Sequence, residues 1–112
     1  MTDEHTIQNA IVVAVNKHNC HVFRTNVGKV LTIDHRLFST GLPVGFPDLT
    51  GFKHDNGKIF FIECKNEVGV PRKEQILFHK MLVQYHIIHG IARNVNDALK
   101  IIDNELVGYG FK

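Results

Sequence analysis

The spacing of apolar residues along the chain changes period several times, and each change marks an element. Glu4, Ile7, Gln8, Ile11, Ala14 and Val15 recur at helical spacing, with Thr2 or Asp3 placed to cap, until the polar run 16–19 breaks the pattern. Segments 21–25 and 29–34 then alternate around Asn26-Val27-Gly28, which predicts two extended segments with a turn between them. Gly41, Pro43, Gly45 and Pro47 make 35–47 a loop. Segments 48–53 and 58–65 flank the turn residues His54-Asp55-Asn56-Gly57, a hairpin signal. Pro71 suits the first turn of a second helix, in which Ile76, Leu77, Lys80, Met81 and Leu82 keep the spacing to about Gln84. Ile87, Ile88 and Ile91 predict another strand. Asn94 can cap a last helix striped by Val95, Ala98, Leu99, Ile102 and Leu106. The order α-β-β-β-β-α-β-α predicts an α/β fold with a mixed central sheet flanked by helices.

At 112 residues the chain is expected to be a single domain, 1–112, and 44% hydrophobic residues suffice for a packed core, which excludes disorder. No stretch approaches the ~20 apolar residues of a membrane span, and the start lacks the basic-then-apolar pattern of a signal peptide. Cys20 and Cys64 are too few for a disulfide framework or a cysteine-rich zinc site, so a reducing, cytoplasmic setting is expected. Thirteen Lys+Arg against 11 Asp+Glu give a net charge of +2, which identifies no partner. The 8 histidines are the oddest feature of the composition, since imidazole is the commonest metal ligand.

Strand alternation places Ile59, Phe61, Glu63 and Lys65 on one face and Phe60, Ile62 and Cys64 on the other, so two opposite charges end an otherwise apolar face. If the turn is the four residues 54–57, Lys53 opposes Lys58 and Asp48 opposes Glu63. A two-residue Asn56-Gly57 turn sets Asp48 opposite Lys65 instead, and an odd turn or a bulge breaks the cluster. Two facing carboxylates repel and need a counter-charge. Their hard oxygens suit Mg²⁺ or Mn²⁺, which would lower the pKa of a bound water and offset charge on a phosphoryl group. Lys65 is then placed to hold or deprotonate the attacking water. The bland alternative is a solvated cross-strand charge pair.

Gly45-Phe46-Pro47-Asp48-Leu49, then Ile62-Glu63-Cys64-Lys65, then Gln75 resemble the PD-(D/E)xK nuclease superfamily. Within it the chain resembles a stand-alone VRR-NUC domain, a virus-type replication-repair nuclease module. The resemblance extends through residues 23–28 to Ile91-Ala92-Arg93-Asn94 and Asp97-Ala98-Leu99, nearly the whole chain. It implies a restriction-endonuclease-like fold, Mg²⁺- or Mn²⁺-dependent cleavage of DNA, and the cytoplasm of a bacterium or of a phage-infected host cell. It also implies Asp48 and Glu63 as metal ligands, joined by the Cys64 carbonyl oxygen and by Glu4 from the first helix, with Lys65 as the catalytic lysine and Gln75 orienting substrate or water. Glu4 has a second reading, as an acid at the positive end of the helix dipole. Arg24, Lys29, Arg36 and Lys53 are candidate contacts to the DNA backbone. Arg72 and Lys73, in a first helical turn that disfavours cations, would be relieved by a phosphate.

Two rivals compete. His18, Cys20 and His21, with His86 and His89, suggest zinc, but their spacing matches no familiar finger. A non-catalytic DNA-binding module leaves Asp48 and Glu63 unexplained. Within the nuclease reading, so small a chain offers limited contact surface, which favours a homodimer cutting a Holliday junction on opposing strands, with nicking of flaps or splayed arms as the alternative.

Overall fold

The computed structural model describes residues 1–26, 29–31, 34, 37–39 and 41–111, with 29–31 and 37–39 described by their backbone. The elements run α1 (Glu4–Asn16), β1 (Cys20–Arg24), β2 (Lys29–Leu31), β3 (Leu37–Ser39), β4 (Leu49–Lys53), β5 (Ile59–Cys64), α2 (Lys73–Gln84), β6 (Ile88–Ala92), α3 (Val95–Asp103) and β7 (Val107–Tyr109). The expected α/β class and mixed sheet are present. A five-stranded sheet has the order β1-β4-β5-β6-β7, antiparallel on the β1-β4-β5 side and parallel from β5 to β7.

Three expectations change. β3 lies inside the expected loop and pairs with β2 in a separate two-stranded sheet, while β1 pairs with β4; residues 27–28 of the expected turn lie outside the described residues. β7 was not foreseen, and Leu106, expected in the last helix, lies in the turn between α3 and β7. Pro71 precedes the cap of α2 rather than opening its first turn. Asn94 caps α3 as expected, its side chain accepting the Asp97 N–H at 2.8 Å.

α1 and α3 bury their apolar stripes on one face of the sheet. Ile7, Ile11 and Val15 meet Ile101 and Ile102 over Leu49, Phe60, Ile62, Cys64 and Ala92. Gly51 permits the close approach here, because a Cβ at that position would fall 2.3 Å from the His21 carbonyl oxygen and 2.6 Å from the Phe60 ring. The opposite face is partly covered by α2, where Phe46, Phe61 and Phe78 meet edge to face.

The β4–β5 connection sets the geometry of everything downstream. Gly57 adopts φ +72°, a left-handed conformation that costs glycine little, and its N–H reaches the Lys53 carbonyl at 2.9 Å while the Lys53 N–H reaches the Lys58 carbonyl at 3.0 Å. Glu105, from the α3–β7 turn, accepts Lys53 Nζ at 2.8 Å and Lys58 Nζ at 2.9 Å, which together with Asn56 hold its carboxyl down at about 2. The turn is thereby pinned, and the register is Leu49↔Ile62 through Phe52↔Ile59.

Beneath α2 sits a histidine pair. His89 on β6 is only 2% exposed, and its Nδ1–H donates to the Ile87 carbonyl at 2.7 Å, which leaves Nε2 to accept from His79 Nδ1–H at 2.7 Å. The His79 ring stacks on Phe111, centroids 4.0 Å apart. Burial holds both imidazoles below their ordinary 6.5. The unfolded chain therefore takes up these protons first as pH falls, so their contribution to stability is complete above about 6.5 and is lost on acidification. Thermal melts at falling pH should show this loss in the wild type, and replacing both partners with apolar residues (His79→Phe with His89→Leu) should flatten it.

Candidate active site

Continued one residue beyond Leu49↔Ile62, the register carries Asp48 across from Glu63, the outcome of the four-residue turn, and the parallel pairing sets Glu63 beside Ile91 of β6. Asp48 sits at the entrance of β4 and is fixed by both oxygens: Oδ1 accepts Asn26 Nδ2 at 2.9 Å and Oδ2 accepts the Cys64 N–H at 2.8 Å. Its own carbonyl accepts the Thr25 N–H at 2.8 Å, which extends the β1–β4 ladder to the site. Glu63 is 3% exposed and Lys65 is 7% exposed, both far below the exposure usual for charged residues.

Burial of Glu63 drives its carboxyl well above the ordinary 4.5, and a hydrogen bond to Asp48 and the Asp48 and Glu4 charges push the same way, while Lys65 opposes them. Burial of Glu63 beside the Asp48 carboxylate thus creates a repulsion that a cation could relieve. Glu4 also acts from nearby and lines a cleft of about 380 Å³ with Gln8, Arg24, Asn26 and Asp48. Its two expected roles coincide in space, since the first turn of α1 is one wall of that cleft. The Cys64 side chain is fully buried among apolar neighbours, and burial raises its thiol far above the usual range, so it serves packing and not nucleophilic attack.

The other candidates are divided by the fold. Gln75 is buried in the first turn of α2 and lines a small cavity with Glu63, and its Oε1 accepts the Arg72 N–H at 2.8 Å, a capping contact. Arg72 and Lys73 are exposed at the same end of α2. Arg24 borders the cleft and donates to Asn9 Oδ1 at 2.7 Å. Lys53 is not brought to the site: it lies at the far end of β4, bound to Glu105. Arg36 and the side chain of Lys29 lie outside the described residues. The proposed histidine ligands go to separate partners. His18 binds Asp103 at 2.8 Å, His21 binds His54 at 2.7 Å, and His89 binds His79.

Sequence reasoning missed Asn26 and Gln8. Gln8 interrupts the stripe of Ile7, Ile11 and Val15 yet is buried, and a polar residue on a buried face is a signal. Asn26 carries no such mark, because its partner is 22 residues away. Arg93 is a third, fixing the segment after β5 through Nη1 contacts of 2.6 and 2.7 Å to the Asn66 and Gly69 carbonyls.

Among the described residues no three His, Cys, Asp or Glu side chains are gathered into a metal cage. Mg²⁺ does not require one, since it is commonly held by one or two carboxylates with water and substrate phosphate completing the shell. Asp48 and Glu63, hard oxygen donors already in contact and partly balanced by one lysine, fit that donor set. A Glu63→Gln variant should raise the melting temperature of the metal-free protein, by an amount worth about 1–2 kcal/mol, because it removes the buried repulsion. Added Mn²⁺ should stabilise the wild type and leave the variant unchanged.

No family model matches the sequence, and no curated protein matches it. One solved structure does match, described as "VRR_NUC domain": it superposes with a TM-score of 0.65 at 20% identity, covering 95% of this chain and 100% of that one. At that identity the likeness establishes architecture: the chain has the fold of a VRR_NUC domain.

Proposed function

We propose that the chain is a divalent-metal-dependent nuclease that hydrolyses DNA phosphodiester bonds at the Asp48–Glu63 pair. The observation that carries this reading is the Asp48–Glu63 carboxyl pair, with Glu63 buried and Lys65 buried two residues beyond it at the end of β5, an arrangement that costs stability. Asp48 and Glu63 would hold Mg²⁺ or Mn²⁺, with the Cys64 carbonyl and Glu4 as further candidate oxygens. The ion supplies Lewis-acid charge and an acidified water.

The chain's own groups do the remainder. Asn26 and the Cys64 N–H hold the Asp48 carboxylate in one orientation, so no reorganisation is needed when substrate arrives. Lys65, buried against the acidic pair, orients the attacking water and offsets negative charge growing on the phosphoryl oxygens. Gln75 positions substrate or water from α2, while Arg24, Arg72 and Lys73 meet flanking phosphates. A purely DNA-binding role is disfavoured, because two carboxylates at the centre repel a phosphate backbone.

For the substrate we propose branched DNA, with the chain acting as a homodimer whose two clefts cut a Holliday junction on opposing strands; nicking of flaps or splayed arms is the alternative. Labelled linear, flap and four-way DNA should be cut with Mg²⁺ or Mn²⁺ and left intact with EDTA. Asp48→Ala, Glu63→Ala and Lys65→Ala should each lower the rate at least about 100-fold. Cleavage that persists in EDTA or in these variants refutes the mechanism. A monomer that makes unpaired cuts refutes the paired-resolution reading and leaves nicking.

A further inference from the structure

The cleft of about 380 Å³ beside Asp48 is bordered by a side chain that the fold leaves unused. Gln8 lies on α1 between Ile7 and Ile11, is only 6% exposed, and lines the cleft with Glu4, Arg24, Asn26 and Asp48. Among the described residues its carboxamide has no hydrogen-bond partner, whereas every sealed side-chain nitrogen and oxygen has one. The Gln8 amide therefore reaches open space, and the space it borders is this cleft. A methionine here would continue the stripe of Ile7, Ile11 and Val15 without burying an unpaired polar group.

Two further sets of unused donors meet the same cleft. Arg24 donates from Nη2 to the neutral Asn9 Oδ1 at 2.7 Å and has no carboxylate partner among the described residues. Strand alternation sets it with Cys20 and Val22 on the α1 side of the sheet, the side from which Gln8 also approaches. The first turn of α1 is another wall: Asp3 makes no side-chain cap bond, and the N–H groups of Glu4 and His5 have no acceptor among the described residues. Guanidinium, helix N-terminus and carboxamide can all donate to anionic oxygen. The carboxylates of Asp3, Glu4 and Asp48 share the cleft and repel a free anion, but not one that arrives beside a divalent cation. A phosphodiester meets both conditions, since one non-bridging oxygen can face the cation while the other faces the donors.

We propose that Gln8, with Arg24 and the first turn of α1, forms a phosphate subsite beside the cation position at Asp48, in which the Gln8 amide donates directly to the substrate backbone. The subsite deepens the nuclease reading and rests on it for the cation. It adds a contact on the α1 side of the sheet, opposite Gln75, Arg72 and Lys73 of the α2 side, and it gives a reason for a polar residue where an apolar one would pack better.

Binding of a labelled flap duplex is measured by fluorescence anisotropy in Ca²⁺, a hard cation for the same oxygen ligands. Gln8→Met should melt at the wild-type temperature or above and yet bind the duplex about tenfold more weakly, a pairing that a merely structural glutamine would not give. Single methylphosphonates, each removing one backbone charge, are then placed in turn along the strand. One position should weaken wild-type binding about tenfold and weaken Gln8→Met and Arg24→Gln much less, which marks the phosphate that the two residues share. A Gln8→Met variant that binds as the wild type does overturns the proposal. So does a wild type with no sensitive position, or one whose sensitive position stays equally sensitive in Arg24→Gln, and these two results decide the matter even if Gln8→Met fails to fold. The position-specific loss, with no Mg²⁺-dependent cleavage by the wild type, supports the subsite and refutes the nuclease reading. Mg²⁺-dependent cleavage with unaltered binding by Gln8→Met refutes the subsite alone.

Discussion

Two carboxyl groups held against each other at the ends of adjacent strands are the constraint on which this structure turns. Asp48 and Glu63 face across the β4–β5 ladder in a setting that withholds water from Glu63, and left to themselves they would push the strand ends apart. Other parts of the fold oppose that separation. The turn at 54–57 is clamped by Glu105 through two lysines, Asp48 is tied to the Cys64 N–H and to Asn26, and β5 is sealed on its other edge by β6.

This division explains why the two faces of the sheet differ. The α1/α3 face is continuous and apolar, and it supplies the cohesion. The opposite face carries Glu63, Lys65, Gln75 and the His79–His89 pair beneath or beside α2, so buried polarity is concentrated on that side, with Gln8 of α1 as the exception. A polar group there is tolerated because it is bonded: among the described residues no buried side-chain nitrogen or oxygen lacks a partner. The acidic pair differs from the others in that two acidic side chains adjoin each other, and burial and the Asp48 charge both push the Glu63 carboxyl above its ordinary range.

How much of this was legible beforehand depended on the range of the interaction. The hairpin arithmetic from Asp48 to Glu63 could be counted, because alternation and an even turn length are local properties, although choosing between turns of four and two residues needed the Gly57 backbone. Helices with long stripes and a capping Asn94 were equally readable. β7 was not, since three residues with a glycine at φ +86° in the middle carry no period. Lys53 looked like a DNA contact because its partner, Glu105, lies 52 residues along the chain. Of the histidines weighed as a rival zinc set, His18, His21 and His89 bond instead to Asp103, His54 and His79, partners that composition cannot reveal.

The central claim is that the acidic pair is a cation site and not a strained structural pair. It is tested most directly by collecting anomalous diffraction from a crystal of this protein soaked in Mn²⁺. The account predicts a peak between the Asp48 and Glu63 carboxylates, within coordination distance of both. A peak at the histidines with none at this pair, or no peak at the pair in saturating Mn²⁺, would contradict it.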